Sequence, residues 1–232
     1  MELIDTHCHI DVADFGPDRD QVLERAMERG VHTLVVPGIE AGTWPQLLRV
    51  CRGREELLPA LGLHPVYMDR HRLEDLRVLE ERIASERPVA VGEIGLDFFI
   101  PDPDRRGQER LLEAQLCIAR DAGLPVLLHI RKAHDHVLKL LRRVRPPGGI
   151  AHAFNGSRQQ ADQFIDLGFR LGFGGVITFD RARKIRGLAA KLPLTSVVLE
   201  TDAPDQPGCQ HRGERNEPAY LPDILETVAR LR

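Results

Sequence analysis

The chain has 232 residues, 42% of them hydrophobic and 29% charged, with a formal net charge of −3, which fits a folded globular protein and excludes a strongly basic nucleic-acid coat. No apolar run approaches the ~18 residues of a membrane helix and no basic-then-apolar leader opens the sequence, so the expectation is a cytoplasmic protein with no membrane partner. Cys8, Cys51, Cys117 and Cys209 lie far apart without a C-x-x-C pair and read as reduced thiols, not as a disulfide frame.

In chain order, a strand predicted over Leu3–His9 is followed by a helix over Pro17–Arg29. Strand Thr33–Gly38 precedes helix Thr43–Cys51, and strand Leu58–His64 precedes helix Leu73–Glu86. The fourth strand, Val89–Gly95, leads through the loop-like "FIPDPDRRGQ" into helix Arg106–Ala122. Then come strand Pro125–Ile130 with helix Ala133–Arg143, and strand Gly149–Ala153 with a helix over Ser157–Leu167 that opens on a serine cap and closes on Gly168. Strand Arg170–Ile177 with helix Arg181–Lys191, and strand Ser196–Asp202 with helix Pro218–Leu231, complete the series.

Runs such as "TLVVPG", "PVLLHI" and "SVVLET" are almost wholly apolar, as parallel strands buried on both faces require. Eight strand–helix units close most simply into a (β/α)8 TIM barrel, here one domain over residues 1–232 with no linker or composition shift. The alternative, an open doubly wound sheet, lacks support because no G-x-G-x-x-G follows the first strand.

A barrel presents its active site at the C-terminal ends of its strands. Those ends carry His7 and His9 on the first strand, His64 on the third, Glu93 and Asp97 on the fourth, His129 and Arg131 on the fifth, His152 on the sixth, and Glu200 and Asp202 on the eighth. His7 and His9 share strand parity and project from one face. Imidazoles and carboxylates suit first-row divalent ions. His7, His9 and Asp202 can hold one ion, His129 and His152 a second, and the two oxygens of Glu93 can bridge them. Paired ions about 3.5–4 Å apart activate water and stabilise a leaving oxygen of a phosphoester. Asp202 can then accept the proton of the attacking water.

The motifs "DTHCHID", "ALGLHP", "VGEIGLDFF", "LLHIRKAHD", "HAFNGS" and "LETDAPDQP", in order over nearly the whole chain, resemble the TatD family of metal-dependent hydrolases among the amidohydrolase-like barrels. The resemblance implies His7, His9, Glu93, His129, His152 and Asp202 as metal ligands, with Asp202 also catalytic, and a deoxyribonuclease of the 3′ to 5′ exonuclease type; some relatives of the family are tRNA-editing deacylases. Asn155 departs from the family's usual serine or threonine, and an asparagine- and phenylalanine-containing segment that many members carry after the last helix is not seen here. Arg212, Asn216 and Pro218 keep a spacing like the family's R-G-x-x-N-x-P, so Arg212 and Asn216 are expected at the substrate.

Two readings stay open for His64, a contact to substrate phosphate or packing under the loop that Pro65 begins, and for Arg131, a phosphate clamp or a partner of Asp135. Glu200, Asp97 and Asp5 read as supports of the ligands. The run "KLLRRVR" at 139–145 reads as a solvated helix face and not as a DNA groove. The expectation is two divalent ions per chain (zinc, nickel, manganese or magnesium) and a substrate that is a DNA end or another phosphoester; the oligomeric state is open, a monomer included. The rival enzyme reading is a carboxylic ester or amide such as aminoacyl-tRNA at the same site, and the non-enzymatic rival is a metal-binding barrel without turnover.

Overall fold

The computed structural model describes residues 2–232. Its regular elements alternate throughout: β1 (Leu3–Asp5), α1 (Arg19–Glu28), β2 (Val31–Pro37), α2 (Trp44–Cys51), β3 (Leu57–Leu61), α3 (Glu74–Glu86), β4 (Ala90–Asp97), α4 (Arg105–Ala122), β5 (Val126–Arg131), α5 (His134–Val144), β6 (Gly149–Ala151), α6 (Arg158–Asp166), β7 (Phe169–Phe173), α7 (Arg183–Lys191), β8 (Val197–Leu199) and α8 (Leu221–Leu231). The strands form one parallel sheet in chain order. It closes on itself where the Thr6 N–H donates to the Leu199 carbonyl at 3.1 Å and the Asp202 N–H to the His7 carbonyl at 2.8 Å. This is the expected (β/α)8 barrel.

The strands are hydrophobic because both faces are covered. All eight residues of β4 are buried. The helices bury one stripe each: α5 turns Val137, Leu138, Leu141 and Val144 inward and leaves Lys139, Arg142 and Arg143 in solvent. Each buried Leu, Ile or Val contributes roughly 1.5–3 kcal/mol. Cap chemistry sets the helix ends. The Asp104 side chain accepts from the Gly107 N–H at the start of α4, and α6 opens on a reciprocal Ser157–Gln160 capping box. No helix among the described residues is long and apolar enough to cross a membrane, and the four cysteines are unpaired.

Four strand ends fall three or four residues short of expectation. The first strand stops at Asp5 and not His9, the third at Leu61 and not His64, the seventh at Phe173 with a 3-10 turn over Gly175–Thr178, and the eighth at Leu199 and not Asp202. At the barrel mouth the chain leaves the ladder to bond with loops: the Cys8 N–H still reaches the Val35 carbonyl of β2, but the His9 N–H turns to Ala203. The last helix likewise starts at Leu221, after a 3-10 turn over Pro218–Tyr220.

Candidate metal centre

Asp5 ties the two ends of the barrel wall together. It is fully buried and accepts from the backbone N–H groups of His7 (3.2 Å) and Thr201 (2.9 Å) and from the Thr201 hydroxyl. These bonds fix the start of the segment carrying His7 and His9 against the segment carrying Asp202. Asp202 itself sits at φ +60°, a left-handed conformation that the surrounding bonds hold. Burial pushes the Asp5 carboxyl up to about 7 in spite of the bonds it accepts.

Glu93, 3% exposed at the mouth of β4, is the centre of the arrangement. Its Oε2 lies 3.2 Å from His7 Nε2 and 3.6 Å from His9 Nε2, and both nitrogens lie 3.7 Å from Asp202 Oδ1. Its Oε1 faces the other way, 3.1 Å from His129 Nδ1 and 3.4 Å from His64 Nε2. His152 Nε2 lies 3.5 Å from Asp202 Oδ2, and its ring stacks on His7 with centroids 3.7 Å apart. Burial works against the Glu93 charge, but the imidazoles of His64, His7 and His129 hold its carboxyl well below the usual range; Asp202 is held down in the same way by His152, His7 and His9.

The ring nitrogens sort themselves by what they touch on the far side. His129 stands between two carboxylates, Nε2 3.0 Å from Asp97 Oδ2 and Nδ1 3.1 Å from Glu93 Oε1; a neutral ring that gives its proton to Asp97 has the Nδ1 lone pair for an ion beside Glu93. His152 Nδ1 lies 3.0 Å from Glu200 Oε1 without a hydrogen bond between them, and its Nε2 turns to the site, 3.5 Å from Asp202 Oδ2. His64 is the opposite case. Its Nδ1 accepts from the Val66 N–H at 3.2 Å, so in the neutral ring the proton sits on Nε2, on the side of Glu93 Oε1 3.4 Å away. Burial lowers the His64 pKa and favours that neutral form. By distance alone His64, Glu93 and His129 make one cluster, while His152 joins His7 and Glu93 and not His129, its expected partner. His64, with Nδ1 engaged by Val66, offers an N–H donor, whereas His129 and His152 each turn one ring nitrogen to the carboxylates of the site.

This set fits divalent cations. Ligands about 2.0–2.2 Å from a tetrahedral ion stand roughly 3.3–3.6 Å from one another, close to the spacings among His7, His9, Glu93 and Asp202. The convergent atoms are imidazole nitrogens and carboxylate oxygens, with no lysine or arginine paired to Glu93 or Asp202 among the described residues.

Supports surround the ligands. Gly172 leaves space for Glu200, because a Cβ there would stand 2.1 Å from Glu200 Oε2. Glu200 also accepts from the Ala153 N–H at 2.6 Å, at a left-handed residue (φ +43°) next to His152. At Gly95 (φ +152°) a Cβ would strike the His129 carbonyl at 1.9 Å, so only glycine lets β4 and β5 approach there.

Of the expected substrate contacts, His64 and Arg131 line a cavity of about 710 Å³ above the centre. Arg131 packs over Phe99 at 4.4 Å and lies 3.6 Å from Asp97; Asp135, the partner considered for it, accepts instead from Gln160. Arg212 is exposed and does not line the cavity. Asn216 is 1% exposed and lies behind the site, its amide spent on the Thr201 and Asp205 carbonyls at 2.8 and 2.7 Å. The sequence spacing signalled Asn216 but not its use. The apolar wall of Val12, Tyr67 and Ile177 carried no sequence signal; Phe154, and Gln206, whose amide donates to Asp202 Oδ2, lie inside the "HAFNGS" and "LETDAPDQP" motifs, which single out other residues for the site.

The chain matches the family described as TatD related DNase over residues 4–232. It is 42% identical over 233 residues to the "Uncharacterized metal-dependent hydrolase YjjV" of Escherichia coli K12, covering 99% of this chain and 90% of that one. The crystal structure of YjjV, a TatD homologue, superposes with a TM-score of 0.96 at 41% identity over 99% of this chain and 90% of the other. A "3'-5' ssDNA/RNA exonuclease TatD" of Edwardsiella piscicida is 34% identical over 240 residues, covering 99% of this chain and 92% of that relative.

Proposed function

From a chain that belongs to the TatD-related DNase family of metal-dependent hydrolases, we propose a deoxyribonuclease that removes nucleotides from a 3′ end at a centre holding two divalent ions. The carrying observation is Glu93, whose two oxygens face two different sets of imidazoles. On this reading His7, His9, Glu93 and Asp202 hold one ion, and Glu93, His129 and His152 hold the other. When bound, the ions polarise the phosphoryl group, acidify water and steady the leaving oxygen. Asp202 accepts the proton of the attacking water, within reach of both His7 and His9. His64 donates its Nε2–H to a phosphate oxygen and Arg131 supplies positive charge beside it. The apolar wall takes the terminal base or sugar.

One observation favours a second reading, hydrolysis of a carboxylic ester or amide. Arg131 is the single arginine or lysine among the cavity-lining residues, which is sparse for a polyanion. One experiment separates the two. Protein stripped of metal and reloaded with zinc, nickel, manganese or magnesium singly is assayed on end-labelled single-stranded DNA and on a panel of small carboxylic esters. Metal-dependent release of mononucleotides, weakening steeply with salt, is the expected result. Turnover of esters alone, indifferent to salt, would overturn the nuclease reading.

A further inference from the structure

With one arginine at the cavity, phosphates beyond the terminal one need positive charge elsewhere, and an acidic protein has little to spare. A depression between α4 and α5 supplies it, lined by Arg106 and Arg110 on one helix and Lys139 and Arg143 on the other. Its two acids are already engaged, Glu109 with His136 at 2.6 Å and Glu113 with Arg143. Arg106, Arg110 and Lys139 are exposed and make no ion pair or side-chain hydrogen bond among the described residues. Arg106 and Arg110 are four residues apart, so they stand on one helix face about 6 Å apart along the axis; Lys139 and Arg143 repeat that spacing opposite.

From sequence alone the α5 run reads as a solvated face, and a solvated face interleaves both signs. What differs in three dimensions is that α4 sets further unpaired cations against it. Like charges facing one depression repel, and an anion relieves that.

The depression is joined to the cavity by contacts. Arg131, on the cavity, lies over Phe99, whose ring is 58% exposed. Neighbouring Phe98 carries Arg105 over its ring at 5.0 Å and packs edge-on against His136 at 5.1 Å, and His136 lines the depression.

We propose that the α4–α5 depression is the track for the phosphodiester backbone of a single nucleic-acid strand whose end lies in the cavity, with Phe99 the platform for a base at the turn between them. This rests on the nuclease reading. Aromatic platforms beside cationic tracks are how sequence-tolerant single-strand sites are built.

The test compares the metal-loaded enzyme with its Arg106→Ala/Arg110→Ala/Lys139→Ala variant, all three being exposed positions outside the metal centre. Substrates are an oligo(dT) of about twelve nucleotides, a thymidine dinucleotide and bis(p-nitrophenyl) phosphate. For the long strand KM should rise on the order of tenfold, and the salt slope should flatten by about 2, near 0.7 per lost phosphate contact. The dinucleotide and the small diester should be hydrolysed as before. An unchanged KM and slope on the long strand, in an enzyme that degrades it, would overturn the track and leave the nuclease reading standing. An equal loss on all three substrates would overturn it too, as damage to the fold or the cavity. A wild-type enzyme that cleaves the small diester but no oligonucleotide would instead sink the nuclease reading, and the track with it.

Discussion

Asn216 braces Asp202 from behind: its buried amide donates to the carbonyls of Thr201 and Asp205, one residue before and three residues after the carboxylate. The Asn216 N–H also donates to the Pro204 carbonyl, and its Oδ1 accepts from the Glu217 N–H. One side chain thus holds the loop that keeps Asp202 in its left-handed conformation.

Asn216→Ala should therefore cost about 1–3 kcal/mol, since the buried Thr201 carbonyl and the part-buried Asp205 carbonyl lose their donor. It should also lower kcat by roughly tenfold to a hundredfold, the order expected when a catalytic group shifts by about 1 Å. Thermal denaturation and kcat at saturating metal check both. A loss of stability with kcat intact would leave Asn216 as a fold residue without a part in placing Asp202.

The fate of Asn216 shows where sequence reading stopped. Alternating apolar runs, capping residues and turn glycines made all eight strands and helices legible, because each is a local consequence of periodicity. The parity of His7 and His9 survived even though the ladder ends at Asp5, since both rings reach Glu93 and Asp202. Burial of Asn216 and the contacts of His129 with Glu93 and Asp97 depend on partners up to dozens of residues away. No local pattern encodes those. The strand ends at the mouth escape the sequence for the same reason, as loops from elsewhere in the chain take over the hydrogen bonds there.

Gly172→Ala puts a methyl group 2.1 Å from Glu200 Oε2. Glu200 must move, and with it the contacts to His152 and the Ala153 N–H. We expect about 1–3 kcal/mol of destabilisation, the usual cost of overpacking, with a fall in kcat. The double variant Gly172→Ala/Glu200→Asp, one methylene shorter, should recover part of the stability; chemical denaturation of both checks this.

His134 gives the fold a pH dependence. Buried against Phe154 and Phe164, its pKa is pushed down to about 4 from 6.5 by burial and then by the Lys184 charge. The unfolded chain therefore binds the proton first as pH falls. The contribution of the neutral ring is fully present above about 6.5 and is lost progressively toward 4. The full shift, at about 1.4 kcal/mol per pH unit and discounted for partial exposure, gives a loss of about 2 kcal/mol. His134→Gln should flatten the stability profile between those pH values, measured by urea denaturation; an unaltered slope would contradict the assignment.

Asp202→Asn keeps the size of the side chain and removes its ability to accept a proton. The variant should fold normally and lose about 10²–10⁴ in kcat at saturating metal. Steady-state kinetics across a metal titration separate this from weaker binding of the ion. Near-normal kcat would move the proton to another acceptor, with Glu93 the nearest carboxylate to His7 and His9.

On the two-ion reading one carboxylate, Glu93, serves two ion sites at once. Metal content per chain of Glu93→Ala, measured by mass spectrometry after reconstitution and desalting beside the wild type and Asp202→Asn, tests it most directly. A shared Glu93 should give about two ions in the wild type, loss of most of both in Glu93→Ala, and loss centred on one site in Asp202→Asn. Full occupancy in Glu93→Ala would contradict the shared site.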